Sequence, residues 1–323
     1  MTILVTGVAG FIGFHLASQL LKKGNNVLGI DNLSKYYDVN LKKNRLKILD
    51  SFKKFNFDNI DISDYKKLKK CFKENDVSIV CHLAAQAGVR YSLNNPMEYI
   101  NANLVGHANV LENCRQYNIK NLIYASSSSV YGGNTKVPFS EFDKVDSPVS
   151  IYAATKRSDE LLSFSYSHLY GINTIGLRFF TVYGPWGRPD MATWIFTKNI
   201  IEGKPIEVFN YGKMKRDFTY IDDIISGTIS ILESFSKNNA KPLAKVYNIG
   251  NNNPVNLMKF IKIIEENLDK KAKKIMLPLQ SGDVVETYAD ISNIQAEYNF
   301  FPSTPITKGI PLFIKWYREY HGL

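Results

Sequence analysis

Thr6-Gly7-Val8-Ala9-Gly10-Phe11-Ile12-Gly13 decides the fold, because its three glycines directly follow an apolar run and open a helical pattern. In a loop with this G-x-x-G-x-x-G spacing, the first glycine permits a tight turn and the second lets the backbone approach a pyrophosphate. The third lets the helix pack closely against the strand. Phosphates then bind at the helix N-terminus, where unpaired N–H groups and the helix dipole favour anions.

A carboxylate refines the cofactor prediction. Asp31 ends the second predicted strand, 18 residues after Gly13, where it can accept hydrogen bonds from the ribose hydroxyls of adenosine. It would repel a 2′-phosphate, so the pattern predicts NAD rather than NADP. Asp61-Ile62 follows the third strand and is placed to reach the adenine, and Leu83–Gln86 ends the fourth strand with small residues. A second interpretation of these small residues is close packing of strand and helix alone.

The first half of the chain alternates short β-branched runs with amphipathic helical stretches. Alternation of this kind indicates βαβ units, and so an α/β fold with a doubly wound parallel sheet. We expect a Rossmann domain over 1–180, with 216–250 returning to it, and a smaller α/β substrate lobe over 181–323. The predicted strands lie at 3–5, 27–30, 78–82, 121–124 and 174–179, and the predicted helices at about 12–23, 64–74, 97–117 and 151–169.

The composition excludes several classes of protein. The net charge is +10, but the lysines form small groups on predicted helix faces, which favours solvated surfaces over nucleic-acid binding. We expect neither a targeting leader nor a membrane span, and therefore a cytoplasmic protein. The three cysteines lack paired spacing, so we expect buried thiols rather than disulfides or a zinc site.

Tyr152 and Lys156 stand four positions apart at the start of a predicted helix, so both side chains lie on one face. A phenol is a weak base at neutral pH, but a neighbouring ammonium and a positively charged nicotinamide both favour its phenolate. Ser127, at the end of the preceding predicted strand, supplies a hydroxyl that orients a substrate oxygen. In isolation such a pair is typical of a helix surface; with the glycine loop and the serines it indicates oxidation of an alcohol.

Four motifs together resemble the extended short-chain dehydrogenase/reductases, and within them the nucleotide-sugar epimerases. The motifs are the glycine loop, Tyr152 with Lys156, the stretch 178–185, and the stretch 216–223, which reads Arg-Asp-Phe-Thr-Tyr-Ile-Asp-Asp. The resemblance runs over nearly the whole chain. It implies a Rossmann domain that carries NAD, a smaller C-terminal lobe that binds a UDP-sugar, and a homodimer formed through helices 97–117 and 151–169.

The same resemblance implies which residues hold each ligand, and it implies no metal site. The predicted cofactor-binding residues are Gly7, Gly10, Phe11, Ile12, Gly13, Asp31, Asn32, Asp61, Ile62, Leu83, Ala84, Ala85, Gln86, Asn103, Tyr152, Lys156 and Phe179. The predicted substrate-binding residues are Ser127, Ser128, Ser129, Thr181, Arg188, Arg216 and Asp283.

The residues at 128 and 129 indicate the reaction. Enzymes of the family first oxidise the sugar C4 hydroxyl and then diverge. Sugar 4,6-dehydratases carry an Asp-Glu pair at these positions, and decarboxylases typically carry a glutamate before Val-Tyr-Gly, whereas this chain has Ser128 and Ser129. With no carboxylate to move a proton at C5, the resemblance implies that the 4-keto intermediate turns over and receives the hydride on its other face. That reaction is 4-epimerisation.

Thr181 indicates the sugar. Epimerases of neutral hexoses commonly carry asparagine there, whereas the stretch 179–191 closely resembles UDP-glucuronate 4-epimerases, which interconvert UDP-glucuronic and UDP-galacturonic acid. Clustered hydroxyls suit a C5 carboxylate, because charge-assisted hydrogen bonds to an anion are strong. They would also restrain the 4-keto uronic acid, which is a β-keto acid and readily loses CO2.

Several alternatives stay open. The substrate can instead be UDP-glucose or an N-acetylated UDP-uronic acid. The reaction can instead be decarboxylation, or the protein can be a catalytically silent sensor of NAD or of a nucleotide sugar.

Arg216 matches the family's arginine for the UDP diphosphate, and Arg188 suits either the carboxylate or the phosphates. Where galactose-type epimerases place a second diphosphate arginine, this chain has Gln280, followed by Ser281-Gly282-Asp283.

Overall fold

The computed structural model describes residues 1–235, 243–280 and 282–323; Ser281 lies outside them. The strands are β1 (Thr2–Thr6), β2 (Asn26–Asp31), β3 (Phe55–Asn59), β4 (Val77–His82), β5 (Asn121–Ser127), β6 (Asn173–Phe179), β7 (Thr181–Tyr183), β8 (Ile206–Val208), β9 (Lys215–Tyr220), β10 (Ala244–Ile249), β11 (Pro254–Asn256) and β12 (Lys274–Met276). The α-helices are α1 (Phe11–Lys22), α2 (Val39–Leu49), α3 (Tyr65–Glu74), α4 (Val89–Asn94), α5 (Pro96–Tyr99), α6 (Gly106–Gln116), α7 (Ile151–Tyr170), α8 (Ala192–Ile201), α9 (Ile221–Ser234), α10 (Leu257–Leu268), α11 (Ser292–Tyr298) and α12 (Ile306–His321). A π-helical turn covers Ile100–Val105, and 3₁₀ turns cover Ser128–Tyr131 and Phe209–Gly212.

The main sheet has seven strands in the order β10-β6-β5-β4-β1-β2-β3. β1 pairs in parallel with both β2 and β4, and the pairs β2 with β3 and β4 with β5 are also parallel. The strand order therefore reverses beside β1. In doubly wound sheets, ligands bind outside the carboxyl ends of the strands at this switch point. The predicted doubly wound α/β fold is confirmed.

The central strands of this sheet are buried at nearly every position, which explains why they read as continuous apolar runs rather than as alternating ones. Leu4 of β1, Val80 of β4 and Leu122 of β5 are fully buried, and they belong to one apolar cluster with Val110 and Leu111 of α6. All three cysteines are free and buried, as predicted.

The helix predicted over 97–117 is wrong as a single regular helix. The chain forms α5, then the π-helical turn Ile100–Val105, and only then α6. An apolar pattern does not distinguish a π-turn from an α-turn, so the sequence concealed the change. The turn carries Asn103, whose side chain bonds Gln86 and Thr155. The other three predicted helices are confirmed, with nearly the same bounds, as α1, α3 and α7.

The chain divides into two compact units. The first unit contains the glycine loop, the predicted catalytic residues and most of the main sheet, and comprises Met1–Gly133, Lys144–Arg178 and Thr228–Tyr247. The second unit comprises Asn134–Asp143, Phe179–Gly227 and Asn248–Leu323.

The second unit has its own sheets and core. β9 lies between β7, to which it is parallel, and β11, to which it is antiparallel, and β12 pairs with β8. Phe218 of β9 stacks on Phe260 of α10 with ring centroids 4.5 Å apart. Trp194 of α8 packs against Phe313 and Tyr317 of α12. Nowhere in the described part of the chain is a helix long and apolar enough to span a bilayer.

Candidate active site

The glycine loop leaves no room for side chains. A Cβ on Gly7, whose φ is +69°, would lie 2.8 Å from the backbone of Ala84, and a Cβ on Gly10 would lie 2.9 Å from the carbonyl oxygen of Gly7. A Cβ on Gly13 would overlap that same oxygen. α1 begins at Phe11, and Gly10 offers its first N–H groups no side-chain cap. This cradle fits a pyrophosphate at the helix N-terminus.

Asp31 ends β2 next to the glycine loop and is buried. Its Oδ2 accepts a hydrogen bond from the Ala9 N–H at 3.2 Å, and its Oδ1 accepts one from the Leu33 N–H at 2.8 Å. Burial raises the pKa of Asp31, and the positive charges of Lys42 and Arg45 partly offset that effect. The two backbone donors therefore orient the carboxylate beside the loop, as a ribose-binding residue requires.

Asn32 and Asp61 meet beyond the ends of β2 and β3. The amide of Asn32 donates to Asp61 Oδ2 at 2.8 Å, and the N–H and hydroxyl of Ser63 donate to Asp61 Oδ1 at 2.8 and 2.7 Å. Although partial burial opposes ionisation, these bonds hold the pKa of Asp61 below its usual value. Ile62 is buried directly after it.

Two side chains fix the segment that follows β4. The hydroxyl oxygen of Thr6 accepts the N–H groups of Leu83 and Ala84 at 3.1 and 3.0 Å. Asn103 accepts from the Gln86 N–H at 2.8 Å and donates to the Gln86 carbonyl oxygen at 3.1 Å. The close approach of this segment to Gly7 supports the packing interpretation of its small residues, which does not conflict with a cofactor passing beside it.

The first unit therefore fits NAD. It brings the glycine cradle, Asp31, the Asn32–Asp61 pair and the segment after β4 to the carboxyl ends of β1, β2 and β4. Phe179, also predicted to bind the cofactor, is the buried last residue of β6 and belongs to the second unit.

α7 carries the predicted catalytic pair. Ser150 caps this helix by accepting the Ala153 N–H at 3.1 Å, and Tyr152 lies half-buried in the first turn. Lys156, one turn later, is buried, and its ammonium donates to the Ala125 carbonyl oxygen at 3.0 Å and to Asp159 Oδ2 at 3.1 Å. The helix thus carries a partly accessible phenol and a fixed ammonium four residues apart.

The serines at the end of β5 divide into two kinds. Ser127 ends the strand, and its hydroxyl oxygen accepts the N–H and the hydroxyl of Ser129 at 3.2 and 2.8 Å. Ser128 and Ser129 begin the following 3₁₀ turn, and all three are half-buried. Ser126, by contrast, is buried and donates to Glu160 at 2.6 Å, which is a structural role.

The sequence did not predict a buried ion pair between Glu160 of α7 and Arg178 of β6. Arg178 of β6 donates to both carboxylate oxygens of Glu160, at 2.8 and 2.9 Å, and to the Tyr131 hydroxyl at 3.0 Å. Although burial opposes ionisation, Arg178 and the other donors hold the pKa of Glu160 below its usual value. The available signal was the acidic pair Asp159-Glu160, which begins three residues after Lys156 inside a predicted helix.

Two stacked histidines complete this buried region. The rings of His82 and His107 lie 5.2 Å apart, and the Thr6 hydroxyl, which already accepts two N–H groups, donates to His82 Nδ1 at 2.7 Å. Burial, with the positive charge of Lys156, lowers the pKa of His107 to about 3. Burial also lowers the pKa of His82 well below its usual value. Both imidazoles are therefore neutral at physiological pH.

Arg216 lies on β9 in the second unit. Its guanidinium donates to the carbonyl oxygens of Lys215 and Val285 at 2.9 and 3.1 Å. The neighbouring Asp217 is buried and accepts the N–H groups of Asn251 and Ala289 at 2.7 and 3.0 Å. Asp217 therefore ties β9 to two other segments of its unit and fixes the backbone that carries Arg216.

The other predicted substrate residues of the second unit lie in separate segments. Thr181 begins β7 and is half-buried. Arg188 forms a fork with Asp190, with N···O distances of 3.0 and 2.5 Å. Asp283 follows Gly282, whose φ of +81° marks a turn that favours glycine.

Comparison with known proteins agrees with these observations. Residues 3–250 match the NAD dependent epimerase/dehydratase family. The chain belongs to this family. Membership confirms the predicted extended short-chain dehydrogenase/reductase resemblance and the prediction of NAD as cofactor.

Relatives within the family narrow the comparison. The chain is 50% identical to Protein CapI of Staphylococcus aureus, over 99% of both chains. It is 46% identical to UDP-glucuronate 4-epimerase 4 of Arabidopsis thaliana, over 100% of this chain and 76% of the relative. The crystal structure of UDP-glucuronic acid 4-epimerase from Bacillus cereus with UDP-glucuronic acid and NAD matches 99% of this chain and 100% of its own, with 35% identity and a TM-score of 0.90.

Proposed function

We propose that the protein interconverts UDP-glucuronic acid and UDP-galacturonic acid by NAD-dependent 4-epimerisation. The observation that carries this proposal is the end of β5, where Ser127, Ser128 and Ser129 offer hydroxyls and no acidic residue lies between 121 and 133. Glu160, the carboxylate that bonds Ser126, is held in an ion pair with Arg178 and is not available as a base.

Tyr152 is the proposed base. Its phenolate takes the proton of the C4 hydroxyl and returns it after the intermediate has turned, while Ser127 orients the same oxygen. Lys156 favours the phenolate by its charge. NAD, when bound, supplies the chemistry of hydride acceptance and return. The glycine cradle, Asp31 and the Asn32–Asp61 pair are the proposed contacts that hold it.

The serine hydroxyls have a second proposed role at the C5 carboxylate. A 4-keto uronic acid loses CO2 when its carboxylate turns perpendicular to the ring, and charge-assisted hydrogen bonds from Ser128 and Ser129 would prevent that rotation. Thr181 is a further proposed substrate-binding residue. The similarity to the Arabidopsis and Bacillus cereus UDP-glucuronate 4-epimerases supports this choice of sugar.

The residues proposed to bind each ligand lie in both units. The first unit contains the residues proposed for NAD and for the chemistry, and the second contains Arg216, Arg188 and Asp283, proposed for the substrate. Arg216 is the proposed diphosphate residue, because a guanidinium matches phosphate oxygens bidentately.

A homodimer through α6 and α7 is also proposed. The observation in its favour is exposed apolar surface on α7, where Leu161, Phe164 and Leu169 are 53%, 61% and 65% exposed. Val105, directly before α6, is 43% exposed. Sedimentation of the purified protein, compared with a Leu161→Glu/Phe164→Glu variant, tests this: the parent is expected as a dimer and the variant as a monomer.

The reaction is tested by incubating the purified protein and NAD with UDP-glucuronic acid and separating the products. UDP-galacturonic acid without release of CO2 is expected, and a UDP-pentose with CO2 would show decarboxylation instead. Tyr152→Phe is expected to lower kcat by at least ~10²-fold. Tyr170→Phe, at the exposed end of the same helix, is the matched control and should keep parental activity.

A further inference from the structure

Asp159 lies one helical turn after Lys156 on α7 and forms a buried ion pair with it. The distance from Lys156 Nζ to Asp159 Oδ2 is 3.1 Å, and the two side chains are only 3% and 1% exposed. The second ammonium bond, to the Ala125 carbonyl oxygen on β5, has nearly the same length. Lys156 is therefore held between one backbone group and one charged group, and Asp159 is the group that can change its charge.

Asp159 differs from its neighbour Glu160 in how completely it is satisfied. Glu160 receives hydrogen bonds from Arg178, Arg157 and Ser126. Asp159 has one bonded oxygen, and within the described residues its buried Oδ1 has no hydrogen-bond partner. A buried ionised carboxylate with an unsatisfied oxygen is costly, so protonation of Asp159 relieves a penalty that Glu160 does not face.

The surroundings of Asp159 favour titration near neutral pH. Burial raises the pKa of Asp159 to about 7, with the positive charge of Lys156 opposing the rise and the negative charge of Glu160 adding to it. The charged and titratable groups that act on Lys156 or Asp159 are Glu160 of α7, His107 of α6, His82 of β4 and Tyr124 of β5, and Arg178 of β6 is the ion-pair partner of Glu160.

Most of these neighbours keep one charge state. Burial holds both histidines neutral, and burial also raises the pKa of Tyr124, so its phenol stays protonated. Glu160 and Arg178 offset one another as an ion pair. Among these side chains, the net charge is therefore set by the Lys156–Asp159 pair: it is about zero when Asp159 is ionised and about +1 when Asp159 is protonated.

We propose that Asp159 is a positioning residue that fixes the ammonium of Lys156 and, through its own ionisation, tunes how strongly that ammonium supports Tyr152 as the base. When Asp159 is ionised it weakens the field that favours the phenolate, and when it is protonated the full charge of Lys156 acts. This inference rests on the proposed role of Tyr152 but does not depend on which sugar is the substrate.

The test is a tyrosinate absorbance titration of the NAD-bound protein without a sugar, in which the Tyr152→Phe spectrum is subtracted to isolate Tyr152. In Asp159→Asn the counter-charge is lost while the shape is kept, so the midpoint of the Tyr152 titration is expected to fall by roughly half to one pH unit. An unchanged or higher midpoint would overturn the proposal.

Kinetics and controls separate this proposal from a structural role. The acid limb of the kcat/KM profile, which reports ionisation of the protein before the sugar binds, should move in Asp159→Asn by the same amount as the absorbance midpoint, whereas simple destabilisation would leave that limb in place. Asp146→Asn, which removes an exposed carboxylate paired with Arg157, should change neither readout. If Asp159→Asn does not fold, the neutral and smaller Asp159→Ser carries the same expectation.

The absorbance experiment also keeps the two proposals apart. A protein that does not epimerise UDP-glucuronic acid but shows the shifted Tyr152 titration disproves the proposed reaction and supports the role of Asp159. An active epimerase with an unshifted titration does the reverse.

Discussion

The glycine loop and the buried ion cluster of Lys156, Asp159, Glu160 and Arg178 both belong to the first unit, but they depend on opposite kinds of residue. The loop depends on residues that lack a side chain, because a Cβ at Gly7, Gly10 or Gly13 would meet backbone atoms. The cluster works by pairing charges that are costly to bury, with Lys156 against Asp159 and Glu160 against Arg178. A single added methyl group damages the first region, whereas a single removed charge damages the second.

The cluster teaches a further point, because two adjacent carboxylates in it behave differently. Glu160 is satisfied by several donors and its pKa lies below the usual value, whereas burial raises the pKa of Asp159. The difference follows from the number of hydrogen-bond donors that each carboxylate receives. Three further experiments test the contrast between loop and cluster.

The largest expected effect comes from breaking the cluster at Arg178. Arg178→Met leaves Glu160 buried without its main counter-charge, and we expect the free energy of unfolding to fall by about 3–5 kcal/mol. Urea denaturation followed by circular dichroism measures it. Arg115→Met removes a similar fork, to Glu112, from an exposed site and should cost far less. Equal losses of unfolding free energy in the two variants would show that a buried ion pair stabilises this protein no more than an exposed one.

A smaller effect is expected from filling the loop. Gly13→Ala places a Cβ against the Gly7 carbonyl oxygen, so α1 must move away from the loop and NAD affinity should fall at least ~10-fold. Isothermal titration with NAD measures the affinity. Gly133→Ala is the matched control, because its Cβ would meet only Val149, at 3.9 Å. Retention of parental affinity in Gly13→Ala would contradict the cradle.

The smallest expected effect concerns the neutral histidines. Burial lowers the pKa of His107 to about 3. Below about pH 6.5, His107 is therefore protonated in the unfolded chain but stays neutral in the folded protein. Stability from this residue is therefore complete above that pH and lost as the pH falls. His107→Gln should reduce the loss of unfolding free energy between pH 7 and pH 5.5 by about 1 kcal/mol.

The comparison must be made between variant and parent at the same pH values. Asp159, whose pKa is raised to about 7, acts in the opposite sense, because the folded protein binds its proton more readily than the unfolded chain does. Only the difference between the two proteins isolates His107. His168→Gln, at an exposed site on α7, should keep the parental dependence. If both variants behave alike, His107 is not the cause.

Local patterns predicted most of the first unit. The glycine spacing, Asp31 at a strand end and the four-residue separation of Tyr152 and Lys156 each depend on neighbours within one βα unit, so the sequence displays them directly. The π-helical turn at Ile100–Val105 escaped prediction, because its apolar residues fit an α-helix equally well. The surroundings of Arg188 and Arg216 in the second unit also had no local signal.

From the sequence alone follow the sheet class, the glycine loop proposed to hold the cofactor and the proposed catalytic pair of Tyr152 and Lys156, because short-range spacing and the absence of side chains specify them. The tertiary structure alone decided the partners of the buried charges. Glu160 and Arg178 are 18 positions apart, and Lys156 bonds Ala125 across 31 positions. Such pairs form only when the sheet brings β5 and β6 beside α7, and burial then makes each charge depend on its partner.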